Sequence, residues 1–340
     1  MMKFQSTNKK IASVVTAALL LLSFCAFISC FDETRSTSSS SHYASLNDIQ
    51  VHYILKGKGD KTLLFIHGWS CDTTFWKAQI DFFKKDYRVI AINLPGHGKS
   101  SKPEIPYTFD LFADAVREVI DDAGIDKVFL VGHSMGYPVA RHFIRKYPQR
   151  VSGLCIVDGA YFRVPSEPDK FAEWKKQIDG YVQSLKSDNR KEFLNQFLAS
   201  LFVEESPSEL KAEIKAKMFS APEHVANSAM EEMVRPENWK EYPLNVPTLA
   251  VYAVSPDLPS DNEEYLRSLF PQMEYHQWDK VGHFVMMEQP ERFNKLLSEY
   301  LSKQLVSPPL LSSYPCVAVL AWTTGIFMVN VVPLPTSLET

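Results

Sequence analysis

The chain has 340 residues, of which 45% are hydrophobic and 22% are charged, and its formal net charge is -4. This length can bury the core of one large domain with an insertion or of two small domains, and the composition is that of an ordinary globular protein. The mild acidity and the lack of a basic stripe argue against nucleic-acid binding. We therefore expect no nucleic-acid partner.

The first 29 residues differ in kind from the rest. Three lysines precede a run of 19 residues without charge, "IASVVTAALLLLSFCAFIS". This order of segments is typical of a secretory signal. The run ends in "FISC", which resembles the lipobox of bacterial lipoproteins with Cys30 as the acylated residue, although Phe27 stands where Leu is usual. An uncleaved membrane anchor and ordinary secretion are the alternatives, and all three predict an extracytoplasmic protein.

Two further segments are expected to lie outside the folded domain. Residues 30–45 are polar and rich in serine, which is typical of a flexible tether. Residues 306–340 are apolar without helical or strand periodicity, and we assign them no function. Three cysteines, Cys71, Cys155 and Cys316, lie beyond the leader and show no legible disulfide framework, so we expect buried free thiols.

Between the tether and the tail, short apolar runs alternate with segments of helical periodicity. The predicted strands span 49–55, 62–68, 87–93, 127–133, 151–158, 247–254 and 273–279. The predicted helices between them span 75–84, 109–122, 135–147, 262–270 and 290–303. Such alternation is typical of an α/β fold with a doubly wound, mostly parallel sheet.

One long segment interrupts this alternation. Residues 163–242 contain charged helical stretches and no convincing strand, so the core would consist of 46–162 together with 243–305. We expect this all-helical insertion to form a cap over the carboxyl edge of the sheet, where ligands bind in open α/β folds.

Two glycines surround a serine at the end of a predicted buried strand, in "VFLVGHSMGY". A serine at the apex of a sharp strand-to-helix turn needs residues without bulk two positions before and after it, and Gly132 and Gly136 meet this requirement around Ser134. Two glycines around a serine are by themselves only weak evidence for a nucleophile. The position of this pattern after a strand and before an amphipathic helix makes Ser134 a candidate nucleophile.

A serine nucleophile needs a base and an orienting acid. His283 follows the last strand and precedes the final helix, so we expect it at the same edge of the sheet as Ser134. The other histidines considered are expected to be structural or on the surface: His42, His52, His142, His224 and His276. For the acid, Asp257 follows a strand between the serine and the histidine and is preferred. Asp158, at the end of the preceding strand, is the second choice, and Asp261 is expected to cap a helix.

The motifs "FIHGWS", "NLPGHGKS", "GHSMG" and "VGHF", in this order and with an acid after "LAVYAV", resemble those of the α/β-hydrolase superfamily, of its capped, lipase-like kind. The resemblance implies Ser134 as the nucleophile, His283 as the general base and Asp257 as the orienting acid. It also implies an oxyanion hole formed by the backbone N–H groups of Trp69 and Met135. His67 and His97 would be structural residues of tight turns.

The resemblance implies a hydrolase that cleaves a small carboxylic ester through an acyl-enzyme, without a cofactor or a metal. The same triad also serves C–C bond, lactone and amide hydrolysis and peracid formation, and the fold alone does not separate these reactions. A non-catalytic binding module is an alternative of another class. Two positions depart from the family pattern: Asn93 replaces a common Asp, and Tyr137 replaces a frequent Gly after the elbow.

Overall fold

The computed structural model describes residues 40–160, 162–240, 243–256 and 258–306. The predicted leader with Cys30, most of the tail with Cys316, and Asp257 lie outside these described residues.

The described residues form eight strands in one sheet. These are β1 (Ser41–Leu46), β2 (Ile49–Lys56), β3 (Thr62–Ile66), β4 (Arg88–Ile92), β5 (Val128–His133), β6 (Val151–Val157), β7 (Thr248–Ala253) and β8 (Met273–Trp278). Their order is β1-β2-β4-β3-β5-β6-β7-β8, and every pair from β4 to β8 is parallel. β2 is antiparallel to both of its neighbours. The predicted α/β fold with a mostly parallel sheet is confirmed.

The described residues also form α-helices, which include the five predicted between the strands. They are α1 (Lys77–Phe83), α2 (Phe109–Asp122), α3 (Gly136–Lys146), α4 (Pro168–Lys186), α5 (Arg190–Ser200), α6 (Ser208–Phe219), α7 (Glu223–Met233), α8 (Asn262–Leu269), α9 (Val285–Glu288) and α10 (Pro290–Val306). Helices α2 and α3 pack against each other and against the sheet. Both are strongly amphipathic, because their buried residues recur at helical spacing.

The first strand was not predicted. β1 pairs with β2 in an antiparallel hairpin, with Ser41 opposite Ile54, whereas the sequence places residues 41–45 in the tether. The tether assignment is therefore wrong for these residues. The reason is that an edge strand of a hairpin buries few side chains: only Ala44 and Leu46 of β1 are buried. A serine-rich context with two apolar residues does not resemble the buried strands of the centre.

Four helices, α4 to α7, separate β6 from β7, and no strand lies among the described residues of this insertion. The predicted all-helical cap is therefore confirmed, although α7 was not recognised as a separate helix. Helix α7 is fixed to the core by hydrogen bonds, because Ser228 Oγ accepts from Tyr107 N–H at 2.8 Å and Glu232 Oε1 accepts from Phe109 N–H at 3.0 Å.

Cys71 and Cys155 are both buried free thiols, as predicted. Burial raises the pKa of each thiol, which keeps it protonated and poorly nucleophilic. Among the described helices, none combines the length and the apolar character needed to cross a bilayer.

Candidate active site

Ser134 stands on a strained turn between β5 and α3. Its φ is +52°, in the left-handed region that residues with a side chain rarely adopt. The flanking glycines are sterically required: a Cβ on Gly132 would lie 2.5 Å from the Gly136 carbonyl oxygen, and a Cβ on Gly136 would lie 2.3 Å from the Ile66 carbonyl oxygen. The strand, turn and helix that the motif "GHSMG" requires are thus all present.

Tyr137, which departs from the family pattern, is accommodated next to this turn. Its side chain is fully buried, and its ring lies against the ring of Phe270 at 6.3 Å and beneath the Arg141 guanidinium at 5.8 Å. A Cβ on Gly159 would lie 2.9 Å from the Tyr137 Cβ. The absence of a side chain at Gly159, after β6, therefore leaves room for the Tyr137 side chain.

His283 is held by a carboxylate. Its Nδ1–H donates to Asp158 Oδ2 at 2.5 Å, and both side chains are largely buried, with 19% and 16% of their surface exposed. The other oxygen of the same carboxylate, Oδ1, accepts from Ala253 N–H at 2.8 Å. Because Nδ1 carries the proton in this arrangement, Nε2 of a neutral His283 has a free lone pair.

Among the described residues, the carboxylate that meets His283 is that of Asp158, which the sequence ranked second to Asp257. Asp257 itself lies outside the described residues. Both aspartates follow neighbouring parallel strands, β6 and β7, whose carboxyl ends meet at one edge of the sheet. Sequence order alone could not choose between them. Asp158 is turned toward His283 by a left-handed backbone, φ +42°, and its N–H donates to Val251 O at 2.8 Å.

The loop that carries the predicted oxyanion donor lies directly against Ser134. A Cβ on Gly68 would lie 3.0 Å from the Ser134 Cβ, so the following residue, Trp69, is also close to the serine. Met135 follows Ser134 at the start of α3, where the first N–H groups of a helix have no partner within the helix. The Trp69 indole donates to Ala226 O of α7 at 2.8 Å and so attaches this loop to the cap.

A cavity of about 740 Å³ lies between the cap and the carboxyl edge of the sheet. Ser134, Asp158 and His283 line it together, so the fold brings these three residues to one place. The cap contributes mostly apolar walls, including Ile178, Phe197, Leu201, Met230 and Met233.

Arg163 is the one lysine or arginine among the described residues that line this cavity. Its guanidinium donates to Asp261 Oδ2 at 2.6 Å and stacks over the Tyr265 ring at 4.4 Å. The prediction that Asp261 caps the following helix holds for its position at the N-cap, but its side chain makes no capping hydrogen bond. Asp261 occupies the position before α8, but its carboxylate accepts from Arg163 instead of from a helix N–H.

A family model described as "alpha/beta hydrolase fold" matches residues 61–290, more than half of the chain. The chain belongs to the α/β-hydrolase family. It is a hydrolase of the α/β-hydrolase fold, and its relatives act on more than one type of bond.

This α/β hydrolase is similar to proteins with different activities. A 2-hydroxy-6-oxononadienedioate/2-hydroxy-6-oxononatrienedioate hydrolase of Paraburkholderia phymatum is 28% identical over 79% of this chain and 98% of that protein. The structure of a thermophilic esterase from Thermogutta terrifontis matches with a TM-score of 0.66 and 28% identity over 78% of this chain and 98% of the other. A bromoperoxidase from Bacillus anthracis shares the fold, with a TM-score of 0.67 and 21% identity over 77% and 99%.

The turn histidines of this α/β hydrolase are structural, as predicted. His67 Nε2 accepts from Leu94 N–H at 3.1 Å, which joins the loops that follow β3 and β4. His97 donates through Nδ1–H to Pro95 O at 3.0 Å. Burial lowers the pKa of His67 to about 4 and that of His97 to about 3, so both rings are neutral near pH 7.

The replacement at Asn93 also has a local reason. Its amide Nδ2–H donates to His52 Nδ1 at 2.9 Å while its Oδ1 accepts from Thr73 N–H at 2.8 Å. An ionised aspartate could not donate the first of these bonds. The replacement thus affects hydrogen bonding in the loop.

Sequence reasoning missed His133, the residue between Gly132 and Ser134. Its ring is buried with its centroid 4.7 Å from that of His283, and its Nε2–H donates to the His283 carbonyl oxygen at 3.0 Å. Burial lowers the pKa of His133 well below its ordinary value, so the ring stays neutral beside the base. Its position inside the motif was the only signal, because nothing in the sequence shows that this side chain reaches the loop of His283.

Proposed function

We propose that this α/β hydrolase is a serine esterase that cleaves small carboxylic esters through an acyl-enzyme. The observation that carries the proposal is the arrangement of three groups on one cavity wall: Ser134 on its strained elbow and the hydrogen-bonded pair of His283 and Asp158. In this proposal Asp158 takes the role that the sequence assigned to Asp257.

The reaction follows from the protonation state of these groups. His283 Nε2 accepts the proton of Ser134 Oγ as this oxygen attacks the ester carbonyl carbon, and Asp158 stabilises the imidazolium that forms. The tetrahedral intermediate collapses, His283 returns the proton to the leaving alkoxide, and the alcohol departs. A water molecule, deprotonated by His283, then attacks the acyl-enzyme and releases the carboxylic acid with Ser134 regenerated.

The backbone N–H groups of Met135 and Trp69 are the proposed oxyanion donors. Donors of this kind act on charge that develops in the transition state, and one such hydrogen bond contributes about 3 kcal/mol to catalysis. The support is the close approach of the Gly68 backbone to Ser134 and the position of Met135 at a helix N-terminus.

The walls of the cavity favour an uncharged, largely apolar substrate. The substrate named for the Paraburkholderia phymatum relative is a dicarboxylate, and burying a carboxylate without a counter-charge is costly. Arg163, the one lysine or arginine among the described lining residues, already donates to Asp261. An ester with an apolar acyl or alcohol part matches the cap side of the cavity better, and the similarity to the Thermogutta terrifontis esterase agrees with this choice.

Hydrolysis of a C–C bond is the second candidate. It is suggested by the Paraburkholderia phymatum relative, which is a 2-hydroxy-6-oxononadienedioate/2-hydroxy-6-oxononatrienedioate hydrolase. Lactone hydrolysis uses the same nucleophile and base, and one comparison of substrates distinguishes all three reactions. The test compares turnover of p-nitrophenyl esters of increasing acyl length with turnover of a vinylogous diketone acid and of an acyl lactone. We expect the esters to be hydrolysed with the highest kcat/KM, and a preference for the diketone or the lactone would overturn the esterase proposal.

A fluorophosphonate probe separates an enzyme from a binding module on the same fold. We expect one covalent adduct on the full chain and none on the variants Ser134→Ala and His283→Ala. Folded protein without an adduct, or an adduct that persists in Ser134→Ala, contradicts the serine mechanism.

We also propose that the protein is extracytoplasmic and is anchored by a lipid on Cys30. The support is the basic and apolar order of the leader and the sequence "FISC". Metabolic labelling with a radioactive fatty acid tests this location: label is expected on the full chain and not on Cys30→Ala. Release of an unlabelled protein into the medium would indicate ordinary secretion instead.

A further inference from the structure

We propose that Glu288 is a positioning residue that holds the loop of His283 and connects it to the cap. The inference rests on the esterase proposal, because it assigns a role to a residue that acts through the proposed base. Glu288 is not among the residues that line the cavity, so it acts on the reaction only through the loop it holds.

The Glu288 carboxylate binds two different parts of the chain. Both of its oxygens accept from the N–H of Gly282, the residue before the base, at 3.1 Å. Its Oε2 also accepts from Ser206 Oγ–H at 2.6 Å. Ser206 lies in the cap between α5 and α6, is 5% exposed, and accepts from Val203 N–H at 3.1 Å through the same hydroxyl. The carboxylate is therefore a bridge between the base loop and a buried turn of the cap.

The backbone of the base is attached to the same turn of the cap. His283 N–H donates to Leu201 O, at the end of α5, at 2.8 Å. The two segments are in contact without intervening side chains, since a Cβ on Gly282 would lie 2.6 Å from Leu201 O and 2.8 Å from Glu288 Oε1. The rings of Phe202 and Phe284 stack beside this contact with centroids 5.6 Å apart.

These bonds complete the fixation of His283. The core holds its imidazole through Asp158 and its carbonyl through His133, whereas its N–H and the preceding N–H are held by Leu201 and Glu288. A general base has to stay within hydrogen-bond reach of its proton, and a displacement of about 1 Å lowers a rate on the order of 100-fold. Loss of the Glu288 bridge should therefore slow the chemical steps.

The experiment compares four variants of the full chain, using a p-nitrophenyl ester and the fluorophosphonate probe. Glu288→Ala removes the bridge, whereas Glu288→Gln keeps an oxygen that accepts from Gly282 N–H and gains an amide that can donate to Ser206 Oγ. Ser206→Ala removes only the connection to the cap. Glu291→Ala removes an exposed carboxylate three residues away and is the matched control.

We expect Glu288→Ala to lower kcat by about 10- to 100-fold with KM changed by less than about 3-fold, and to slow phosphonate labelling to a similar degree. Glu288→Gln should restore kcat to within about 3-fold of the wild type, and Ser206→Ala should lower it by about 3- to 10-fold. Glu291→Ala should not differ from the wild type. Thermal unfolding of each variant establishes that the activity is measured on folded protein.

The inference is overturned if folded Glu288→Ala, or folded Ser206→Ala where Glu288→Ala does not fold, keeps the wild-type kcat and labelling rate. It is also overturned if the loss appears in KM alone or if Glu288→Gln is as impaired as Glu288→Ala. The esterase proposal fails by a different result, namely a wild-type protein that neither reacts with the probe nor hydrolyses esters.

Discussion

The sheet and the cap bury their residues to very different extents. Every residue of β3, β5 and β7 is buried. Ser134 follows β5, the loop of Trp69 follows β3, and the last residue of β7, Ala253, donates to Asp158. Helix α4 of the cap has 19 residues and buries only Leu185, and α6 buries only Ile214 and Met218. The proposed catalytic groups are therefore positioned by the closely packed sheet, whereas the lightly packed cap supplies walls of the substrate cavity.

Helix α7 is the exception within the cap. It buries six residues and lies against the loop that follows β3 and the N-terminus of α2: Val225, Ala226, Ala229, Met230, Glu232 and Met233. The carboxylate of Glu232 accepts from Phe109 N–H at 3.0 Å, at the helix end where negative charge is favourable. The cap is thus attached to the core by α7 and by the turn between α5 and α6, through Leu201 and Ser206.

This difference in packing between sheet and cap predicts which substitutions have large effects on rate or stability. Changes at the strand ends should alter the rate of the chemical steps or the stability of the whole domain, because neighbouring backbone leaves no room for adjustment. Changes on the outer cap helices should have small effects on stability. The following predictions test this difference, from the largest expected effect to the smallest.

Asp158→Asn should have the largest effect, because an amide at this position cannot hold His283 in the tautomer that leaves Nε2 unprotonated. We expect kcat for a p-nitrophenyl ester to fall on the order of 10³- to 10⁴-fold with the fold intact. Asp257→Asn is the matched substitution and should change kcat by less than about 3-fold.

Steady-state kinetics on both aspartate variants, with circular dichroism to verify folding, decides between the two acids. If Asp257→Asn is the inactive variant, the assignment of Asp158 as the orienting acid is wrong.

Gly136→Ala should destabilise the core, because its new methyl group would meet the Ile66 carbonyl oxygen at 2.3 Å. We expect the free energy of unfolding to fall by about 2 to 3 kcal/mol, and esterase activity to fall as the elbow moves. Urea denaturation measures the first effect. Unchanged stability would mean that the elbow is less tightly held than the rest of the sheet edge.

Acid should destabilise the core through its buried neutral histidines. His67 and His97 bind a proton only near pH 4 and pH 3 in the folded state, whereas an unfolded histidine binds one near pH 6.5. Above pH 6.5 both states are neutral, so the contribution of each ring is constant. As pH falls from 6.5 toward 4, the unfolded state alone gains protons, and each of these histidines costs about 1.4 kcal/mol of stability per pH unit.

Denaturant unfolding between pH 7.5 and pH 4.5 measures this dependence. His97→Asn should reduce the slope over this range by the contribution of one proton, about 1.4 kcal/mol per pH unit. An identical slope in wild type and variant would show that His97 is protonated in the folded state.

Gly180→Ala should have the smallest effect and the opposite sign to Gly136→Ala. Gly180 lies inside α4, and a Cβ there would meet nothing within 4 Å. Alanine in a helix interior is favoured over glycine, so we expect α4 to be stabilised by about 0.5 to 1 kcal/mol. A cap that unfolds in a separate transition would show the gain only in that transition, which circular dichroism at several denaturant concentrations can resolve.

Sequence reasoning succeeded where chemistry and periodicity coincide. Short β-rich runs, several of them continuously apolar, predicted seven strands of the sheet, and the glycines around Ser134 predicted an elbow, because both signals are local in the chain. It failed at β1, an edge strand with two buried residues, and it ranked second the carboxylate that meets His283, that of Asp158. Asp158 and Asp257 follow adjacent strands at one edge of the sheet, so nothing local in the sequence distinguishes them.

The sequence by itself determined the α/β architecture, the helical cap, and the candidate nucleophile and base, Ser134 and His283. It could do so because strand periodicity and the small residues of the elbow are properties of residues close together in the chain. Only the tertiary structure decided which carboxylate meets His283, how Gly159 makes room for Tyr137, and that His133, Leu201 and Glu288 hold the base from three directions. These contacts join residues that are distant in the chain, and their geometry depends on how strands and helices pack.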